Sequence, residues 1–311
     1  MQQSNEKHKA LITIIGPTAS GKTALAVRLA KELEGEIISG DSRQVYKDMD
    51  LGTGKDLAEY GNIPYHLIDI RPAGYQYNLR EFQEDFHLAF NDISERRKLP
   101  ILCGGTGLYI QTILEGNINT LVPEDIRWRA AAELLSDREV EQKLKEWGAP
   151  AYFKDWGHRK RMIRALEVKR YFDQHPPEEL PAYVRPVAAE KQLLVGIEID
   201  REARRRKISL RLKKRFEEGM VVEVEALLKK VPAEGLIYYG LEYKMITEHL
   251  QGKLSYEEMF SSLEAQIHRF AKRQMTFFRR MEKMGHQIYW LKSEAGVDQN
   301  IQELLAEWQR S

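Results

Sequence analysis

Ala10-Leu11-Ile12-Thr13-Ile14-Ile15, followed by Gly16-Pro17-Thr18-Ala19-Ser20-Gly21-Lys22-Thr23, decides the fold. The first six residues are an apolar, largely β-branched run, the signature of a buried strand. The next eight match G-x-x-x-x-G-K-[ST] in full, and a helical stretch over residues 22–34 follows. Strand, glycine-rich turn and helix in that order make a phosphate cradle. Glycines let backbone N–H groups converge on phosphate oxygens, and the helix N-terminus adds partial positive charge. Lys22 supplies a full charge, and Thr23 a hydroxyl for Mg²⁺. Gly16, Pro17, Thr18, Ala19, Ser20, Gly21, Lys22 and Thr23 are therefore candidate ligands of a phosphate or diphosphate. The plain alternative, an ordinary glycine turn, does not explain the strand before it and the helix after it.

Outward from this loop, short apolar strands are predicted at residues 36–39, 66–70 and 100–103. They close at Gly40-Asp41, Arg71-Pro72 and Gly104-Gly105-Thr106-Gly107. Residues 79–98 place Leu79, Phe82, Phe86, Phe90 and Ile93 at helical spacing. Strands alternating with helices imply a parallel sheet covered on both faces. The alternation stops at 119–175, a stretch rich in Glu, Arg, Ala and Leu with Trp128, Trp147, Phe153 and Trp156. It reads as a helical insertion, left through Pro176-Pro177, Pro181 and Pro186. A strand at 192–199 rejoins the sheet. Asp200 caps a basic helix over 201–218, and a helix over 255–283, a last strand at 286–291 and a last helix at 298–309 follow. The fold class is α/β: a P-loop NTPase-like parallel sheet core flanked by helices (1–118 and 186–311) with a helical insertion (119–185).

The 311 residues are 42% hydrophobic and 31% charged, an ordinary globular composition. No apolar run approaches the roughly 18 residues of a spanning helix, and residues 1–10 are too polar for a secretory leader. The single cysteine, Cys103, excludes an internal disulfide and a cysteine-cage metal site. A cytoplasmic monomer that does not engage a membrane is the expectation. The net charge of +1 hides a division: residues 1–150 carry 18 Lys/Arg against 23 Asp/Glu, and residues 151–311 carry 30 against 24. An acidic partner bound by the second half explains the excess, and so do solvated helix faces.

The C-terminal edge of a parallel sheet is where ligands bind. It gathers the 16–23 loop, Asp41 and Thr106. A nucleotide kinase or hydrolase normally offers a strand ending in Asp for its metal. The strand at 100–103 ends without a carboxylate, which leaves Asp69, after His66-Leu67-Ile68, as a substitute. A carboxylate beside a phosphate cradle is a candidate general base. Asp41 as a turn residue and Thr106 as an N-cap are, on these residues alone, equally good readings.

Taken together, the motifs resemble one family, the tRNA dimethylallyltransferases (tRNA isopentenyltransferases). The resemblance rests on Gly16–Thr23, on Asp41-Ser42-Arg43-Gln44-Val45-Tyr46 with Met49-Asp50-Leu51-Gly52-Thr53, on His66-Leu67-Ile68-Asp69, and on Gly104-Gly105-Thr106-Gly107-Leu108-Tyr109. Arg164-Ala165-Leu166-Glu167 and Ala271-Lys272-Arg273-Gln274 extend it over nearly the whole chain. It implies that the loop holds the diphosphate of dimethylallyl diphosphate, with Arg211 as a further ligand and Mg²⁺ as cofactor at Thr23. It implies Asp41 as the acceptor of the N6 proton of adenosine 37, beside the tRNA anticodon, and Thr106 as a contact to the substrates. Asp41, Ser42, Arg43, Gln44 and Thr106 would meet an extruded adenosine. Arg127, Lys160, Arg161, Met162, Ile163 and Arg164 would meet the anticodon stem-loop. Basic runs at 201–215 and 269–280 are further candidates for RNA phosphate contact.

The sequence departs from the family pattern at Tyr65-His66, where two histidines are usual, and at Gly157-His158-Arg159-Lys160-Arg161, where Asn-Asp-Pro-Gln-Arg is usual. It departs also at Gly240-Leu241-Glu242-Tyr243, in place of Gly-Tyr-Lys-Glu, and at Ile267-His268, in place of Thr-Arg. Three other functions compete: prenyl transfer to a free adenine nucleotide, a small-molecule P-loop kinase, and a non-enzymatic nucleic-acid-binding protein. The first leaves the insertion and basic runs without a use. The second calls for tight ATP binding with γ-phosphate transfer. The third has no need of Asp41 and Thr106 beside a phosphate cradle.

Overall fold

The protein, in a computed structural model that describes residues 9–149, 153 and 156–311, is built on a sheet of six parallel strands. They are β1 (Ala10–Ile15), β2 (Gly35–Ser39), β3 (Tyr65–His66), β4 (Leu99–Gly104), β5 (Lys191–Glu198) and β6 (Tyr289–Lys292), in the order β3-β2-β4-β1-β5-β6. The helices are α1 (Lys22–Glu32), α2 (Leu79–Glu95), α3 (Gly107–Glu115), α4 (Ile126–Glu133), α5 (Asp137–Glu146), α6 (Arg159–Gln174), α7 (Arg201–Glu217), α8 (Met220–Leu228), α9 (Ala233–Tyr238), α10 (Leu241–Leu250), α11 (Tyr256–Lys283) and α12 (Val297–Arg310). The chain divides into two compact units, Met1–Leu114 with Val187–Ser311, and Glu115–Pro186. Residues 1–8, from the polar opening stretch, and 150–152 and 154–155, from the predicted insertion, lie outside the described residues.

Both faces of the sheet are buried, as a parallel sheet requires. Along β1, Leu11 and Ile15 enter one apolar cluster with Phe82, Phe86 and Phe90 of α2. Ile12 and Ile14 point the other way, to Leu25 and Leu29 of α1 and Leu304 of α12. Side-chain caps start the longer helices. Asn78 and Ser255 form capping boxes at α2 and α11, and Asp200 accepts from the N–H groups of Glu202 and Ala203 at α7.

The predicted strand at 66–70 is cut to Tyr65–His66. Leu67 and Asp69 adopt left-handed backbone, φ 62° and 57°, which a ladder cannot continue through. The Asp69 N–H turns to the Gln44 carbonyl at 3.1 Å, and its carboxylate takes the ammonium of fully buried Lys55. Lys55 also donates to Asp50 Oδ1 and the Tyr46 carbonyl, 2.6 Å each, so Asp69 serves to hold the 46–56 loop.

The second unit has its own core of Ala132, Val140, Leu144, Met162, Ile163 and Leu166. Met162 and Ile163, expected to face RNA, are 1% and 3% exposed and fill that core. Arg164 is also turned inward. It pairs with Glu167 and donates to the carbonyls of Asn119, 2.9 Å, and Val122, 2.7 Å. Trp128 packs on the core, and Trp147 and Trp156 stay partly exposed.

Glu167 is the hub of this unit. It accepts from the Asp125 N–H at 2.7 Å, from Arg129 Nε at 3.0 Å and Nη2 at 2.7 Å, and from Arg164. Burial works to raise its pKa, but Arg129, Arg164 and the Asp125 N–H outweigh it and hold the carboxyl below the ordinary value. A carboxylate depressed in the folded state stabilises above its unfolded pKa and loses that contribution as pH falls through the folded value. Glu167→Ala should therefore cost the second unit about 2 kcal/mol at neutral pH, the worth of hydrogen bonds to a charged group. Hydrogen exchange on α4 and α6 should show that cost, and show it shrinking in acid as wild-type Glu167 protonates below the ordinary carboxylate range.

Candidate active site

The loop between β1 and α1 is shaped by two left-handed residues, Ala19 at φ 62° and Gly21 at φ 91°. Such turns aim successive N–H groups to one side and form an anion-binding hollow. The first-turn N–H groups of α1, Lys22 and Thr23 among them, have no partner within the helix and open onto the same hollow. Ser20 Oγ is buried there without a hydrogen-bond partner. A buried hydroxyl in that condition is rare, and a phosphate oxygen in the hollow would satisfy it.

Two cations face this loop. Lys22 Nζ donates to the Pro17 carbonyl at 2.9 Å. Arg211, on α7, donates from Nη2 to Thr18 Oγ1. Desolvation lowers the pKa of Lys22, against the pull of Cys103 and Asp41. Burial brings Arg211 down to about 10, with Arg215 one turn along adding to the effect. Neither cation has a carboxylate within 4 Å among the described residues. Charge partly withdrawn from water with no counter-ion is costly, and a multiply charged anion in the loop removes that cost for both.

Gln274 of α11 joins this loop to the second half of the site. Its Oε1 accepts from the Thr18 N–H at 2.9 Å, and its Nε2 donates to the Gly105 carbonyl at 2.8 Å. Thr106 follows, its Oγ1 accepting from the Ser42 N–H at 3.1 Å. Asp41 precedes Ser42, its Oδ1 accepting from the Arg43 N–H at 3.0 Å. Asp41, Thr106, Gln274, Phe270 and Phe277 line one cavity of about 280 Å³. A carboxylate and a hydroxyl thus share a largely apolar chamber with the residue that braces the anion loop.

The chain matches the family model described as IPP transferase over residues 44–281, and the model described as isopentenyl transferase over residues 9–60. It is 51% identical to the tRNA dimethylallyltransferase 1 of Azobacteroides pseudotrichonymphae, across 90% of this chain and 92% of that protein. It is 49% identical to the tRNA dimethylallyltransferase 2 of Phocaeicola vulgatus, across 95% and 96%. The chain belongs to the tRNA dimethylallyltransferase family. Its fold is that of the tRNA isopentenylpyrophosphate transferase of Bacillus halodurans, with a TM-score of 0.69, 29% identity and 96% coverage of both chains. A eukaryotic dimethylallyltransferase solved acting on tRNA shares the fold with a TM-score of 0.75, at 23% identity over 92% of this chain and 74% of that one.

The arginine of Ser42-Arg43-Gln44 ends on Glu242, Nη1 to Oε2 at 2.6 Å. Gln44 is bound on both sides, by Ser39 Oγ at 2.8 Å and the Gly54 carbonyl at 3.1 Å. Both side chains brace the loop that follows Asp41. Thr23 sits in the first turn of α1. Among the described residues, no three or more His, Cys, Asp or Glu side chains cluster to hold a metal. A metal here would take the Thr23 hydroxyl with phosphate oxygens, which suits Mg²⁺: it usually keeps one or two protein oxygens plus phosphates and waters.

In the second unit, Arg127, Lys160 and Arg161 are exposed. Arg159 is spent on Glu133, Asp137 and three carbonyls. In the first unit, Arg279 pairs with Glu198 and Glu282. By contrast Arg205 of α7 and Arg269 and Lys272 of α11 are exposed and make no ion pair within 4 Å among the described residues. No described helix is long and apolar enough to cross a membrane.

Gln274 and Glu242 carry no local mark of their roles. Gln274 closes the run Ala271-Lys272-Arg273-Gln274, but its partners are 256 and 169 residues away. Glu223 of α8 is a third such residue: it accepts from the N–H groups of Asp50, Leu51 and Gly52 at 2.7–3.0 Å and from Tyr243 Oη at 2.8 Å. Gln274→Ala should lower the affinity for inorganic diphosphate about tenfold, the worth of roughly one net hydrogen bond that shapes the loop. Lys22→Ala should lower it further, because a charged contact is lost. Titration calorimetry with inorganic diphosphate reads both, and equal affinities for the three proteins would remove Gln274 from the loop's support.

Proposed function

We propose that this protein transfers a dimethylallyl group from dimethylallyl diphosphate to N6 of adenosine 37, beside the anticodon of tRNA, and releases diphosphate. The observation that carries the reading is the single brace, Gln274, between an anion loop with surplus cations and a chamber holding Asp41 and Thr106. An allyl transfer needs both halves at once. The N6 lone pair attacks C1 of the allyl group, the C1–O bond breaks, and the electron pair leaves with diphosphate. Lys22, Arg211, the loop N–H groups and Ser20 Oγ meet the charge that develops on the leaving oxygen. Asp41 takes the N6 proton, and Thr106 orients the acceptor. When bound at Thr23, Mg²⁺ supplies further neutralisation of the diphosphate.

Adenosine stacked in an anticodon loop cannot present N6 to a half-buried carboxylate at the floor of a cavity, so the base must leave the stack. Phe270 and Phe277 offer it aromatic faces inside the cavity. We assign phosphate contacts to Arg205, Arg269 and Lys272 in the first unit. Arg127, Lys160 and Arg161 in the second unit would meet the anticodon stem. The protein would act as a monomer in the cytoplasm, where tRNA is found. The kinase alternative is weakened by Asp69, whose carboxylate is taken up by Lys55. Transfer to a free adenine nucleotide leaves the exposed cations of both units unexplained.

Incubation with labelled dimethylallyl diphosphate and unmodified tRNA should place label in RNA, and label in AMP instead would reverse the choice. Asp41→Ala should lower the single-turnover rate about 10²–10⁴-fold, the range for a general base, with tRNA and diphosphate affinities within a few-fold. A variant keeping more than about a tenth of the wild-type rate would remove Asp41 from that role. Excess EDTA should stop turnover, and added Mg²⁺ should restore it.

The RNA surface has its own check. Replacing Arg205 and Lys272 by Ala should weaken tRNA binding and flatten the plot of log affinity against log salt. Each lost duplex-type phosphate contact should change that slope by about one unit. Unchanged affinity and slope in a variant with wild-type melting would move the RNA elsewhere.

A further inference from the structure

We propose that Glu242 is a positioning residue that draws the Arg43 charge away from Asp41 and so keeps the Asp41 carboxylate able to accept a proton. The inference rests on the reading of Asp41 as general base. Its grounds are geometric. Glu242 opens α10 after Gly240, is 6% exposed, and receives Arg43 Nη1 at 2.6 Å. Arg43 is two residues from Asp41 and fixes Asp41 Oδ1 through its own backbone N–H at 3.0 Å. The side chain of Arg43 therefore has two anions in reach of its field, and the one it touches is Glu242. Both line the cavity that holds Asp41 and Thr106.

The other face of Glu242 borders a small cleft lined by Arg211 and Arg215. One carboxylate thus stands between the acceptor chamber and the cations of the anion loop. Burial opposes the charge on Arg43, yet Glu242 and Asp41 hold its pKa above the ordinary arginine value, so it stays charged at every working pH. An uncompensated guanidinium beside Asp41 would stabilise its carboxylate and make it a weaker base. Other groups facing Asp41 are Lys22 from α1, Cys103 from β4, Tyr109 from α3, Tyr60, and Arg273 across the cavity. Burial keeps the Cys103 thiol, the Tyr60 phenol and the Tyr109 phenol neutral near pH 7, raising Cys103 to about 11 and both phenols above their ordinary value. Arg43, Lys22 and Arg273 are then the positive groups near Asp41, and Arg43 is the one whose charge is matched by a touching carboxylate.

The test is the pH profile of the single-turnover prenylation rate with tRNA and dimethylallyl diphosphate both saturating. Glu242→Gln keeps the shape and removes the charge. It should move the acid limb down by about one pH unit and lower the plateau about tenfold, with tRNA affinity within about twofold. Arg43→Met should move the limb up. The Arg43→Met/Glu242→Gln double variant should return the limb to within about 0.3 unit of wild type, which a purely structural role for Glu242 does not produce. Glu242→Asp, which keeps the charge, should leave the limb in place. An unmoved limb in Glu242→Gln, or the same loss in the Arg43→Met background, overturns the proposal. If Glu242→Gln does not fold, the limb of Arg43→Met decides alone: unmoved, it overturns the proposal. Asp41→Asn separates the two readings. If it retains more than about a tenth of the wild-type rate, the general base is elsewhere, whatever Glu242 does.

Discussion

The pairing of β4 between β1 and β2 is the constraint on which the site depends. Its register sets Ile15 opposite Gly104 and Ser39 opposite Cys103, so three strands end in line. The three loops that follow begin at Gly16, Gly40 and Gly105. They carry the anion loop, Asp41 and Thr106 to one edge without any of them being near another in sequence. The junction tolerates no bulk. A Cβ on Gly104 would lie 2.3 Å from the Gly40 carbonyl oxygen, and Thr106 N–H reaches that same carbonyl at 3.3 Å. The strand ends and the loops that leave them are one packed object, and the spacing between the proton acceptor and the leaving-group cradle is set there.

On this frame, charge is arranged by exclusion. The face of α7 that turns to the anion loop carries Lys207, Arg211 and Arg215, one helical turn apart. Lys207 Nζ reaches Ser293 Oγ, which donates to the Ser20 carbonyl, both at 3.2 Å. Arg211 reaches Thr18, and Arg215 reaches Asp56 at 3.2 Å. The carboxylates near this ladder pair with its far end or with Arg43, not with Arg211 or Lys22. A folded protein keeps such a surplus only where the surrounding packing over-determines it. Sites of that kind are where perturbed ionisation collects.

What could be read from the sequence follows from how local each signal is. The anion loop is eight consecutive residues, and β1, β2 and β4 are short apolar runs, so all were legible. The run His66-Leu67-Ile68 reads as strand because hydrophobicity does not report handedness, and Leu67 and Asp69 leave the ladder through left-handed backbone. Met162 and Ile163 stand beside basic neighbours only by adjacency in the chain. A helix sorts residues by angle instead, and 162, 163 and 166 share the buried face while 160 and 161 point out. Gln274, Glu242 and Glu223 were illegible as supports. Their roles exist only once α8, α10 and α11 have packed against loops 170–260 residues earlier in the chain.

The division of charge between the two halves of the sequence shows why a sum is a poor guide to a surface. The excess positive charge lies after residue 150, but Arg159, Arg164 and Arg279 are consumed by carboxylates and carbonyls of their own unit. Arg211 reaches the anion loop at Thr18, and Arg215 is buried against Asp56. Among the exposed cations left to meet a polyanion are Arg205, Arg269 and Lys272 on α7 and α11, with Lys160 and, from before residue 150, Arg127 in the second unit. Electrostatic attraction at long range responds to the total. Positioning responds to the cations that have no nearer partner, and these are fixed by the same carboxylates, Glu167 and Glu198 among them, that hold the helices in place.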